Sequence, residues 1–87
     1  MPRYHFNVHD GTDLPDVEGT ELPSLDHARR EAVRYSGCLL RDHADAFWTG
    51  EEWRMDVTDE RGLILFSLMF VATNAPSTGS PRDRRPG

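Results

Sequence analysis

Ser67, His5, His9 and Asp56 are the residues of this chain whose types do proton chemistry and whose spacing puts them on one surface. His5 and His9 lie on one side of a first predicted strand, with Asn7 between them. Asp56 and Ser67 belong to the matching side of two later strands. A serine, an imidazole and a carboxylate are the parts of a hydrolytic relay, provided that the base meets the hydroxyl and the carboxylate orients the base. The spacing puts these residues on a face but does not fix their mutual geometry.

A metal centre is the other chemistry these types suggest, because Asp10, Asp13, Asp16, Glu18 and Glu21 follow the histidines. Strand geometry argues against it. Residues two apart lie about 6.6–6.8 Å apart along a strand, so His5 and His9 stand about twice that far apart and cannot share an ion without a bulge. The carboxylates do not follow the D-x-D-x-D-G register of a calcium loop. No metal or other cofactor is expected, and the segment reads as a solvated acidic loop.

The remaining candidates are weaker. Cys38 has no C-x-x-C partner and falls in the middle of a predicted helix, away from the cationic or helix-start setting that activates a thiol. Arg30, Arg34 and Arg41 gather on one helix side, but Glu31, Asp42 and Asp45 lie nearby, as on a solvated face. Trp48 and Trp53 bracket a helix-to-strand junction and read as an apolar lid over the end of the core. Phosphate-loop, dinucleotide and nucleophile-elbow motifs do not occur. No catalytic residue is assigned.

Charge limits the partners. All ten basic residues are arginine, which reads as the codon habit of a GC-rich genome. Residues 1–73 hold seven arginines against fourteen acids, while 74–87 hold three against one. A folded part so acidic disfavours nucleic-acid phosphates, where affinity comes mainly from lysine and arginine. No window approaches the roughly 18 apolar residues of a membrane span, and Met1-Pro2-Arg3-Tyr4-His5 begins no signal peptide. The chain is expected to be soluble and cytoplasmic.

The elements that must position these residues follow from periodicity. Tyr4, Phe6 and Val8 alternate with His5, Asn7 and His9 in a strand over 3–9. Asp10-Gly11 signals a turn and Pro15 stops a long ladder, so 10–23 is a loop with an extended piece near Val17 to Leu22. Ser24 is a good N-cap with Asp26 in the first turn, and a helix should run to about Phe47. Its apolar stripe holds Leu25, Ala28, Ala32, Tyr35, Ser36, Leu39 and Ala46, with Gly37 a possible bend and Gly50 a left-handed exit. Trp53, Met55 and Val57 alternate in a second strand. Thr58-Asp59-Glu60-Arg61-Gly62 forms a turn with positive φ at Gly62, which returns the chain into a third strand with a bulge.

That third strand, Leu63 to Val71, is apolar on both faces and interrupted only by Ser67. A doubly apolar strand belongs in the middle of a sheet. The expected fold is therefore α+β, a three-stranded sheet in order 1-3-2 with one long helix on one face. The first two strands would be parallel, joined by a right-handed crossover. The single domain spans 1–73. Residues 74–87, rich in Pro, Gly and Ser, are expected to be disordered. With the helix on one side, Leu63, Leu65, Met69 and Val71 remain uncovered on the other. They predict a homodimer through the sheet.

Several pieces in order carry a resemblance: Met1-Pro2-Arg3-Tyr4-x-Phe6 with Asp10-Gly11, Asp16-x-Glu18-Gly19-x-Glu21-Leu22-Pro23, Ala28-Arg29-x-Glu31-Ala32, and Trp53-Arg54-Met55-x-Val57-x-Asp59-Glu60-x-Gly62. Over about residues 2–71 the chain resembles a family of short bacterial proteins built on a domain of unknown function, common in alphaproteobacteria. The resemblance implies a small stand-alone domain and brings no site residues. The functional expectation is a non-enzymatic protein-interaction module. An antitoxin-like or regulatory partner in a nucleoprotein complex and a small hydrolase on the His5/His9/Asp56 face are the alternatives.

Overall fold

The computed structural model describes residues 1–48 and 52–76. Among these the chain forms strands β1 (Arg3–His9), β2 (Asp13–Leu14) and β3 (Thr20–Glu21), and helices α1 (Leu25–Asp42) and α2 (Ala44–Phe47). Strands β4 (Glu52–Thr58) and β5 (Ile64–Val71) complete it. All pairings are antiparallel. The order across the sheet is β2-β1-β4-β5, with β3 alongside the other end of β1.

The α+β class and the single long helix are as expected, but the strand order is not. β4 occupies the centre, and the apolar β5 lies at the edge. β1 and β4 are antiparallel, so no crossover joins them. The reason lies in the match between the two half-apolar strands. Phe6 pairs with Val57 and Val8 with Met55 on the helix side, while Asn7 pairs with Asp56 on the other. Reading an apolar run as a central strand equates apolarity with burial inside one chain, and β5 breaks that equation.

The core is thin and well defined. Tyr4, Phe6, Val8, Trp53, Met55 and Val57 meet Ala28, Ala32 and the buried Ser36 of α1. The i, i+4 spacing stacks these three small residues on one stripe, so the helix backbone can lie close to the sheet. Ser36 Oγ contacts Met55 Sδ at 3.6 Å. From β5, Phe66 and Leu68 share the helix face through their pairing with Val57 and Met55. Phe70 meets the ring of Trp53 edge-on at 5.5 Å. Tyr35, expected on the stripe, is exposed, though its ring stands edge-on to Phe6 at 6.4 Å.

Ser24 caps α1 by accepting the His27 N–H. Gly37 does not interrupt the helix; the break comes at His43, whose ψ of 37° ends α1 before the expected Phe47. Phe47 then packs against the edge of the core. The β4–β5 turn is as predicted. Gly62 holds φ +87°, its N–H donates to Asp59 O, and the Asp59 N–H donates to Leu63 O. The Asp59 carboxylate also accepts the amides of Arg61 and Leu63. Gly50, and the predicted tail beyond Pro76, lie outside the described residues.

Candidate functional site

Two surfaces collect the functional candidates, and both belong to the sheet side away from α1 or to its β5 end. On the open face, β2, β1, β4 and β5 each contribute to one line of polar contacts. Asp13 Oδ1 lies 2.7 Å from His9 Nδ1, and His9 Nε2 lies 3.1 Å from Asp56 Oδ2. Ser67 Oγ donates to Asp56 Oδ1 at 2.6 Å. Arg54 Nε stands 3.2 Å from the same oxygen as an ion pair without hydrogen-bond alignment. Asn7 Nδ2 donates to the Asp56 carbonyl at 3.5 Å. The Asp56 side chain is only 10% exposed, so these partners supply what water would otherwise give a buried carboxylate.

This wiring decides what the cluster can do. A hydrolytic relay needs the serine hydroxyl on the imidazole and the carboxylate behind it. Here the carboxylate is in the middle: Asp56 accepts from Ser67 and holds the ring nitrogen that would have to serve as the base. His5 is not part of the line at all. Its Nδ1 lies 2.7 Å from the Asp16 carbonyl, over the opposite stretch of β1. The structure thus joins His9, Asp56 and Ser67 and separates His5. With Asp13 on β2, the joined set ties four strands together across their pairing direction, a register-holding role for cross-strand polar partners.

The acidic segment 10–23 serves the backbone. Asp16 Oδ2 accepts the Phe6 N–H at 3.1 Å, Asp16 Oδ1 accepts the Gly19 N–H at 3.0 Å, and the Asp16 N–H donates to Asn7 Oδ1 at 2.8 Å. In the sequence Asp16 reads as part of a solvated acidic loop, with a metal-ligand role as the disfavoured alternative. Its sole local signal was Gly19 three residues on, which holds φ +73°. No group of three His, Cys, Asp or Glu suited to a metal ion occurs among the described residues. Arg29 pairs with Asp26, Arg34 with Glu31 and Arg41 with Asp42, as on a solvated helix face. Cys38 is exposed on the same helix. Trp53 is in the core, whereas Trp48 stands exposed against the edge of Phe47.

The second surface is β5. Leu63, Met69 and Val71 are 63%, 56% and 61% exposed, and Ile64 and Phe70 are exposed as well. Leu65 is half-buried against the core. Of the four residues expected at an interface, three are exposed: Met69 and Val71 on β5, and Leu63 in the turn that leads into it.

No helix among the described residues is long and apolar enough to cross a membrane. No curated protein and no solved structure gives a match. The family model described as Domain of unknown function (DUF6894) matches residues 3–71, from the first residue of β1 to the last of β5, and the chain belongs to that family.

Proposed function

We propose that this protein is a non-enzymatic interaction module of the bacterial cytoplasm that works as a homodimer formed through its sheet. One observation carries the reading: the most apolar strand of the chain has no buried residue, and five of its eight residues are exposed. Each large apolar side chain taken from water contributes about 1.5–3 kcal/mol. Met69 and Val71 are neighbours on one side of β5, with Ile64 and Phe70 exposed on the same strand and Leu63 just before it, and this row is an interaction surface rather than scattered surface residues. A second copy presents the same patch, and a two-fold axis makes that patch complementary to itself. The Ser67–Asp56 hydrogen bond speaks against the hydrolytic alternative, because it turns the hydroxyl away from His9.

Sedimentation of the purified chain tests the reading. At tens of micromolar the protein should sediment as a dimer, and Leu65→Glu combined with Met69→Glu should return it to a monomer. A monomer in the unsubstituted protein at that concentration overturns the proposal.

A further inference from the structure

The two long edges of the sheet are treated differently by the chain, and the difference selects how two copies meet. Along the outer edge of β1, the Leu22 N–H donates to Pro2 O, and β3 pairs with Arg3 and Tyr4. Asp16 takes the Phe6 N–H, and β2 pairs with Val8 and His9. That edge is closed from Pro2 to His9. On β5 the inner side is bonded to β4 from Glu52 to Thr58, and no described segment pairs with the outer side.

We propose that β5 pairs antiparallel with β5 of a second copy. The two chains then share one continuous sheet in the order β2-β1-β4-β5-β5-β4-β1-β2. The inference rests on the dimeric reading above and goes beyond it by placing the contact on the backbone edge instead of the open face.

Natural sheets protect a free edge with charge, proline or a bulge. From Leu63 to Ala72 there is neither a charged residue nor a proline. The register shift of the hairpin sits at Val57/Thr58, where Leu65 is the extra residue of β5, so the irregularity is confined to one end and the pairing from Phe66 to Val71 is regular. On a molecule whose first 73 residues carry twice as many acids as arginines, this uncharged strand is where two copies meet without setting acid against acid.

Symmetry adds a constraint. Residues paired across antiparallel strands point to the same side. A two-fold axis perpendicular to the sheet preserves sides, so it must fall on a residue that faces its own copy. A strand apolar on both sides matches itself in any such register: Phe66, Leu68 and Phe70 extend the helix side, and Met69 and Val71 the open side. Both helices then lie on the same face of the joined sheet. Stacking the open faces instead would strip water from Arg54, His9 and Asp13 as well as from the apolar residues, at the cost of dehydrating charges.

Amide hydrogen exchange of the unsubstituted protein, followed by NMR across its dissociation range, tests the pairing. Edge pairing should remove fast exchange at every second amide of 64–71 as concentration rises. In a Cys38→Ser background, single cysteines at each position from 65 to 70 should give a disulfide maximum at one position. There the opposed Cα atoms stand about 4.5–5.5 Å apart, within disulfide reach, and one residue away the copies are already about 8 Å apart.

A dimer that cross-links through 65, 67 and 69 without alternate amide protection is a stacked one; that overturns this proposal and leaves the dimeric reading standing. Alternate protection that does not vary with concentration puts a segment of the same chain on the edge and overturns it too. A monomer overturns both readings.

Discussion

The outer edge of β1 and the outer edge of β5 pose the same physical problem and receive opposite answers. A row of backbone donors and acceptors at the end of a sheet invites another strand. On β1 the chain answers with fourteen residues, 10–23, that contribute two short strands and, between them, one carboxylate that substitutes for a strand. On β5 it answers with apolar side chains and no charge. A chain that invests a long connection in closing one edge has the means to close the other. No described segment covers the outer edge of β5, which carries the most apolar sequence of the molecule, and the proposed pairing of two copies uses that edge.

The sharpest way to break this contrast is to reopen the β1 edge. Gly19 turns the covering segment back onto β1 at φ +73°, and a Cβ there would stand 2.9 Å from Arg3 Cγ, His5 Cε1 and the Tyr4 carbonyl. The left-handed backbone costs a non-glycine residue about 1–2 kcal/mol, and overpacking adds about 1–3 kcal/mol. Gly19→Ala should therefore destabilise by about 2–5 kcal/mol in urea denaturation at fixed protein concentration. A loss under 1 kcal/mol would mean that the cover on β1 adjusts freely and is no fixed closure.

A subtler opening removes the carboxylate alone. Asp16→Ala leaves the Phe6 and Gly19 amides without their acceptor. An unsatisfied part-buried donor costs about 1–3 kcal/mol, so the loss should be of that size, and Asp16→Asn, which keeps one accepting oxygen, should lose less. With both edges open, chains can add at either end, and light scattering should show assemblies larger than the dimer. If Asp16→Ala stays strictly dimeric, β2 and β3 alone suffice to close the edge.

How far this was visible in the sequence depends on which physical signal each part uses. Strand and helix faces are written in periodicity. The alternation of Tyr4, Phe6, Val8 and of Trp53, Met55, Val57, the Ser24 cap, and the positive φ at Gly62 are all where the pattern puts them. The strand order is not written that way. Apolarity states what a strand will bury, not whether its own chain or another does the burying, so β5 reads as central and lies at the edge. The cover on β1 was illegible for a different reason. A carboxylate accepting a backbone amide ten residues away leaves no local spacing to detect. The same holds for the open face, where four strands bring Asp13, His9, Asp56 and Ser67 into line. Their side was legible, but the order of contacts depends on register.

The β4–β5 turn sharpens the comparison, because Gly62 also holds positive φ but has open space around it, with no atom within 4 Å of a Cβ. Only the backbone penalty applies there. Gly62→Val should cost about 1–2 kcal/mol, more than the roughly 0.4–1 kcal/mol that a tolerated glycine replacement changes through the unfolded state. Thermal unfolding reads the difference. Equal losses at Gly19 and Gly62 would show that crowding against β1 adds nothing, which would weaken the view that segment 10–23 is pressed onto that edge.

The smallest change in stability should bring the clearest change in assembly. Met69 lies on the open side of β5, exposed, directly opposite Arg54 of β4. Met69→Glu removes little buried surface and gives Arg54 an opposite charge across the strands, a pairing that contributes about 0.2–1 kcal/mol. The stability of the monomer should therefore stay within about 0.5 kcal/mol, as for other exposed sites. On the bare edge the same substitution supplies what β5 lacks, a charge that must meet its own copy or be dehydrated beside it, and sedimentation should show the dimer lost. Leu14→Glu is the matched control, since Leu14 is also exposed but sits on β2, outside the closed edge. It should leave the dimer intact. Loss of the dimer in both variants would trace association to general apolar exposure and remove the distinction between the edges, whereas loss in Met69→Glu alone would assign association to the β5 end of the sheet.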